Sequence, residues 1–411
     1  MAILIWIIAL TSIALMLLRP RGIPEWIWIG SGALVLLASR LLPLSGAVLA
    51  LREALDVCLF LAGMMILAEL AREEGVFDWV ADIAVHHARG SAGRLFFWVY
   101  LSGTVVTAFL SNDATAVVLT PAVLAAVRRA RVDPRPHLLA CALVANAASF
   151  VFPISNPANL VVFGEHLPPL GTWLRFLALP SLAAIAATYA SLWLLSPKAL
   201  RETTAPAGEA RHLSAAGKLA LAGIVMAAAG LLVSSGLGVA LGAPTCAAGL
   251  LALAMVAVKD RSAPKNALRQ VSWSVLPLVA GLFMIVEALN RAGMLRFTRP
   301  GMDWLTHAPD GVGKFAGGGA VALVSNAMNN LPVGLAAGSA LRAAGPHGLL
   351  AHAILIGVDL GPNLSVTGSL ATILWLIALR REQAEITAWQ FLKVGAVAMP
   401  AALVLALLAL R

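Results

Sequence analysis

Apolar runs of roughly 20 residues recur from one end of the chain to the other, each long enough to cross a bilayer as a helix. The pattern predicts ten spans, at 3–18, 26–44, 54–71, 137–165, 173–195, 218–236, 239–258, 272–290, 347–379 and 387–410. Two further apolar segments, 94–127 and 314–344, are interrupted at their middles by polar clusters. Ser111-Asn112-Asp113 interrupts the first, and Asn329-Asn330 with Pro332 interrupts the second. A segment that enters, turns on polar residues and leaves by the same side is a re-entrant hairpin. Such backbone is tolerated only inside protein or against a water-filled cavity. The expected architecture is therefore an all-α polytopic membrane protein.

The two halves of the pattern repeat. Ala62-Gly63, Glu69 and Gly75 match Ala280-Gly281, Glu287 and Gly293 at a constant offset of 218. At nearly the same offset, Asn112 falls on the Asn329-Asn330 pair. Residues 1–195 and 218–411 then form two repeats of five spans plus a hairpin, joined by a cytoplasmic linker at 196–217. Five is odd, so the second copy is expected to be inverted. Inverted repeats with interrupted segments at matching places mark a secondary transporter with its site near mid-membrane.

Composition sharpens this picture. The 411 residues are 60% hydrophobic and only 12% charged, against about a quarter charged in an ordinary soluble domain. No polar stretch is long enough for a separate soluble domain, which excludes a soluble enzyme. The first run, Ile3 to Leu18, lacks a basic start and ends in Arg19-Pro20-Arg21, so it is expected to remain as a span rather than a cleaved leader. The net charge of +9 reflects bases in loops: 19 Lys and Arg, Arg211 of the linker among them, fall on one side and 9 on the other. The richer side is expected to be cytoplasmic, which puts both termini outside. No nucleic-acid partner is expected. Cys58, Cys141 and Cys246 sit in apolar surroundings and in no CxxC pair, so neither a disulfide framework nor a metal site is indicated. There is no GxxxxGK[ST] phosphate loop, no convergent nucleophile and base, and no implied cofactor.

Four polar interruptions carry the chemistry. They are Ser111-Asn112-Asp113-Ala114-Thr115, Ser155-Asn156-Pro157-Ala158-Asn159, Asn329-Asn330-Leu331-Pro332, and Asp359-Leu360-Gly361-Pro362-Asn363 followed by Thr367-Gly368-Ser369. A broken helix in lipid frees N–H and C=O groups that need partners. Asn, Ser and Thr supply them, and they also present donors and acceptors to a small polar solute. Helix N-termini aimed at the breaks favour an anion or an oxygen-rich neutral solute. The candidate substrate-binding residues are thus Ser111, Asn112, Asp113, Ser155, Asn156, Asn159, Asn329, Asn330, Thr367, Gly368 and Ser369. The bland alternative is that each cluster only satisfies its own backbone.

Ionisable residues within the spans are few: Glu69, Asp113, Glu287 and Asp359, with His352 and Lys393 nearer span ends. Intramembrane carboxylates are costly and default to a functional reading. That reading suits Asp113 and Asp359, which lie beside the breaks. Glu69 and Glu287, at equivalent positions near helix ends, fit a structural contact at least as well. His352 reads as a structural histidine.

At these motifs the chain resembles the arsenite/antimonite efflux (ArsB) family of the ion transporter superfamily. The resemblance is carried by Ser111-Asn112-Asp113 with Leu119-Thr120-Pro121, by Ser155 through Leu160, by Met328 through Pro332, and most specifically by Gly357 through Asn363 with Thr367 through Trp375. It implies export of As(III) and Sb(III) hydroxides from the bacterial inner membrane, driven by exchange for protons. It also implies that an ArsA-type ATPase attaches in some organisms. Related branches carry dicarboxylates, sodium or silicic acid. An arginine pair near the breaks would suit a dicarboxylate; none lies there, which supports a neutral substrate such as arsenous acid. Exchange for protons requires a group protonated in one state and exposed to each side in turn. Asp113 is the first candidate for that proton-coupling role and Asp359 the second.

Overall fold

The computed structural model describes residues 1–164, 167–206, 212–345 and 348–411. Arg211 of the linker, and residues 165 and 347 at the ends of two expected spans, lie outside the described residues. Within them the regular structure is helical, apart from one isolated antiparallel bridge between Ser91 and Thr203.

The first half runs α1 (Ala2–Leu18), α2 (Glu25–Ala38), α3 (Leu44–Glu73), α4 (Val76–Ala88), α5 (Ala92–Phe109), α6 (Thr120–Ala130), α7 (Pro134–Ala147), α8 (Pro157–Phe163) and α9 (Leu170–Leu195). The second runs α10 (Ala215–Gly236), α11 (Gly242–Ala257), α12 (Ala263–Gln270), α13 (Val275–Arg291), α14 (Met294–His307), α15 (Asp310–Met328), α16 (Asn330–Ala344), α17 (Gly348–Leu360), α18 (Leu370–Arg381) and α19 (Ala388–Ala409). With α12 set aside, the two halves have the same element order. Both closing helices carry an internal proline, Pro180 in α9 and Pro400 in α19.

The packing follows the same exchange. α3 lies on α11, and its counterpart α13 lies on α2. α8 lies on α16, and α18 on α6. α9 and α19, counterparts of each other, pack together. Glycine makes the α3–α11 crossing close: any methyl at Gly63 would collide with the Thr245 backbone carbonyl. Gly281, the matching position in α13, receives Ile29 of α2 in the same way.

Among the described residues, six stretches are long and apolar enough to cross a membrane: Leu44–Glu73, Ala92–Phe109, Leu170–Leu195, Ala215–Gly236, Ala263–Arg291 and Ala388–Ala409. α1, α2 and α11 are apolar but shorter. The expected second span, 26–44, stops at Ala38. Leu44 opens α3 instead, because Pro43 lacks an N–H and suits a helix start. The fourth and ninth expected spans are each two short helices around a break.

Three helices were absent from the apolar pattern. α4 and α14 each follow a glycine with positive φ, Gly75 at 70° and Gly293 at 95°. Both are amphipathic surface helices. α14 exposes Phe297 and Trp304 beside Arg296 and Arg299, the composition of a helix lying at a membrane interface. α12 is a short polar turn of helix ahead of α13.

Candidate functional site

Each hairpin turns on one or two side chains that satisfy freed backbone. At the first tip, Ser111 Oγ accepts from Ala114 N–H at 3.2 Å and Asn112 Oδ1 accepts from Asp113 N–H at 3.0 Å. Beyond it the chain widens into a π-helical segment, Ala114–Leu119, before α6. Pro121 accounts for the widening: its ring and missing N–H disfavour a regular α turn there. Thr120 Oγ1 donates to the freed Thr115 carbonyl at 3.2 Å. At the second tip Asn329 holds φ 73° and ψ 150°, a strained backbone conformation found mainly at glycine. Its side chain accepts from Leu331 N–H.

The breaks are knit by asparagine. Asn159 Nδ2 donates to the carbonyls of Ser149 (2.9 Å), Phe152 (3.2 Å) and Pro153 (3.3 Å), so one amide serves three groups left bare between α7 and α8. Asn156 caps α8 by accepting from Ala158 N–H. In the second break, Ser369 caps α18 by accepting from Thr372 N–H at 3.1 Å, and Thr367 Oγ1 donates to the Asn326 carbonyl at 2.9 Å.

Each tip is bonded to the break of its own half. Ser155 Oγ donates to the Ala108 carbonyl at 2.8 Å, and Asn330 N–H donates to the Gly368 carbonyl at 2.8 Å. The two breaks are bonded to each other. Asn146 Nδ2 donates to Asn363 Oδ1 at 2.9 Å, and Asn156 Nδ2 donates to Asp359 Oδ1 at 2.8 Å. All four side chains are buried.

Asp113 stands apart from this network. It makes no capping bond to the helix it precedes, since Ser111 and Asn112 already do that work. It lines an open cleft with ≈ 630 Å³ of empty space, together with Ser111, Glu69, Phe60, Met64 and Met65. α13 and α18 close the far wall through Val275, Leu370 and Leu374. A second, smaller cleft sits at the other tip, lined by Asn329, Pro332, Glu25 and again Leu370. The tips thus face two clefts that share Leu370.

Glu69 and Glu287 have matching partners. Arg72 Nε donates to Glu69 at 2.6 Å and Arg291 Nε donates to Glu287 at 2.5 Å. His352 Nδ1–H donates to the Gly348 carbonyl at 2.8 Å and the ring stacks on Phe176 at 4.5 Å. Cys141 is buried, Cys58 and Cys246 are half-buried, and all three are free. No group of three His, Cys, Asp or Glu among the described residues could hold a metal.

Of the candidate residues, Ser111 and Asp113 reach the larger cleft and Asn329 the smaller. Asn112, Ser155, Asn156, Asn159, Asn330, Thr367, Gly368 and Ser369 bond to backbone or to neighbouring side chains around the breaks. Sequence reasoning missed Asn146, Phe60 and the two methionines. Asn146 could have been found: it stands 217 residues before Asn363, nearly the repeat offset.

An all-helical membrane fold with paired hairpins, paired breaks and clefts at the tips defines a multi-pass membrane transporter. The chain belongs to the citrate transporter (CitMHS) family, whose model matches residues 1–379. It is 29% identical over 369 residues to an arsenical pump membrane protein of Yersinia enterocolitica, covering 85% of this chain and 84% of that one. A protein of the same description from Escherichia coli is 27% identical over 421 residues, 97% of this chain and 96% of the relative. An uncharacterized transporter of Mycobacterium tuberculosis is 26% identical over 375 residues, 85% and 84% of the two chains. Among solved structures, the Alcanivorax borkumensis YdaH transporter shares the fold, with a TM-score of 0.61 at 16% identity over 89% of this chain and 86% of that one.

Proposed function

We propose that this transporter exports trivalent arsenic and antimony hydroxides across a bacterial inner membrane in exchange for protons. The observation that carries the reading is the cleft at the first tip. Its polar lining is hydroxyl and carboxylate, Ser111, Ser272, Asp113 and Glu69, and it includes no Lys or Arg. A citrate site should present cationic donors, ideally bidentate arginine. A neutral polyhydroxy solute needs hydrogen-bond partners and no counter-charge. The arsenical pump relatives from two genera support the same substrate. In this reading Asp113 carries the exchanged proton, with Asp359 the second candidate. The two halves are inverted, both termini lie outside, and the hairpins and broken helices shift against the α3–α13 wall to expose the cleft to each side. An ArsA-type ATPase is a partner to be tested by co-purification.

The test is uptake into everted vesicles, comparing arsenite, antimonite, sodium, succinate and citrate. Uptake of arsenite and antimonite above vesicles lacking the protein is expected. Uptake of citrate or succinate with none of the metalloids would move the chain to a carboxylate carrier.

A further inference from the structure

A second space, larger than the cleft at the first tip, lies along the other half of α3. It has ≈ 1740 Å³ of empty volume, and Leu49, Arg52, Asp56, Val57, Leu160 and Phe283 are in its wall. Ionisable groups along a membrane span face water or the bundle interior rather than lipid, so Arg52 and Asp56 mark this space as hydrated. The two spaces share three helices. On α3 the cleft takes Phe60 and Leu61 and the larger space takes Val57; on α8 they take Pro157 and Leu160, and on α13 Val275 and Phe283. Val57 and Phe60 are three residues apart, as are Pro157 and Leu160, which is about 4.5 Å along a helix axis. The spaces therefore lie end to end, with one turn of α3 and one of α8 between them. The cleft extends along α3 as far as Glu69 and the larger space as far as Leu49, so they point to opposite ends of that helix.

The dividing turn is apolar and closed. Val57, Phe60, Leu61 and Leu160 are 4%, 0%, 3% and 3% exposed, and Phe60 is the largest of them. The equivalent of Phe60 in the second half is Leu278, 218 residues on, and Leu278 lines the smaller cleft at the second tip. Both tips thus face the same turn of equivalent helices. An exchanger driven by protons has to keep the water on its two sides from meeting, because a continuous column of water lets protons bypass the carrier. An apolar constriction prevents this by excluding water.

We propose that the cleft and the larger space are the two ends of one transport passage, and that Phe60 is the apolar barrier between them. The barrier deepens the proposed metalloid–proton exchange and rests on it for the identity of the solute alone. It sits on α3, the wall against which the hairpins and broken helices shift. Arg52 and Met65, both on α3, then stay on their own sides of Phe60, while Asp113 reaches each space in turn as the first tip moves.

The test is run without arsenite on full-length protein in membrane vesicles, in a background of Cys58→Ser, Cys141→Ala and Cys246→Ser. Arg52→Cys and Met65→Cys are each exposed to a charged thiol reagent that does not cross the membrane, in right-side-out and in everted vesicles. Each variant should react in one kind of vesicle only, and the two in opposite kinds. Reaction of both in the same kind, of either in both kinds, or of either in neither overturns the passage. The barrier is tested with purified protein in liposomes that hold an imposed pH gradient. Phe60→Ala should collapse the gradient faster than the wild type, and Phe60→Leu, which keeps a larger apolar side chain there, should hold it longer than Phe60→Ala. If Phe60→Ala does not fold, Leu160→Ala opens the same partition from α8 and takes its place. A folded variant that holds the gradient as well as the wild type overturns the barrier. Neither assay contains arsenite, so a failed substrate assignment leaves both results standing, and a failed barrier leaves that assignment untouched.

Discussion

Asn146 Nδ2 donates to Asn363 Oδ1 at 2.9 Å, and the two residues occupy positions 217 apart, almost the repeat offset of the chain. The same asparagine thus appears once in each half, and the two copies bind each other where the halves meet. Asn363 Nδ2 continues to the Leu143 carbonyl at 3.0 Å, back into the helix that carries Asn146. Fully buried amides are held this way because neither has water to fall back on.

That pairing predicts thermodynamic coupling. Asn146→Ala or Asn363→Ala alone strands a buried amide, and each should destabilise by about 1–3 kcal/mol. The double variant should cost less than the sum, by on the order of 0.5–1.5 kcal/mol, the range measured for hydrogen bonds between membrane helices. A double-mutant cycle on unfolding in detergent measures it. Strict additivity would show that the contact contributes nothing beyond its two ends.

The matched carboxylates separate a structural role from a transport role. Glu287 pairs with half-exposed Arg291, and such pairs contribute about 0–1 kcal/mol. Glu287→Gln should leave both stability and arsenite flux near wild type. Glu69 has the same kind of partner but also lines the larger cleft. Glu69→Gln should therefore change the apparent affinity for arsenite while melting is unaltered. Equal effects of the two substitutions on flux would contradict the placement of the site at the first tip.

Trivalent arsenic binds thiols, yet the three cysteines form no shared site in the fold. Replacing Cys58 and Cys246 by Ser and the buried Cys141 by Ala should leave most of the arsenite resistance conferred on a sensitive host. Free buried cysteine acts as a small hydrophobe, which alanine replaces at modest cost. Loss of resistance at normal expression would make thiol ligation central.

Much of this organisation is visible in the sequence because lipid imposes a strong contrast: polar clusters such as Ser111-Asn112-Asp113 and Asn329-Asn330 stand out within apolar runs. The broken helices at Pro153, Pro157 and Pro362 are visible for the same reason. α4 and α14 are not, since a surface helix with one apolar face leaves no long hydrophobic run. Asn146 is a lone polar residue in an apolar helix, and only the packing of α7 against the second break gives it a partner. The cleft wall is hidden too: Phe60, Met64 and Met65 read as ordinary span residues until α3 is set against the first tip. Asn112 and Asn159 bond to freed backbone groups, a pairing that the sequence pattern alone does not specify.

In the proposed exchange, Asp113 carries the proton that drives export. Its carboxylate faces the cleft, and the capping that would explain it structurally is performed by Ser111 and Asn112. Asp113→Asn keeps the size and hydrogen-bonding capacity of the side chain and removes its ability to bind and release a proton. The decisive measurement is arsenite flux into everted vesicles with and without an imposed pH gradient. Wild-type flux should rise with the gradient, whereas Asp113→Asn should show no gradient-driven accumulation while still exchanging arsenite across the membrane. Full gradient-dependent flux in Asp113→Asn would contradict the account.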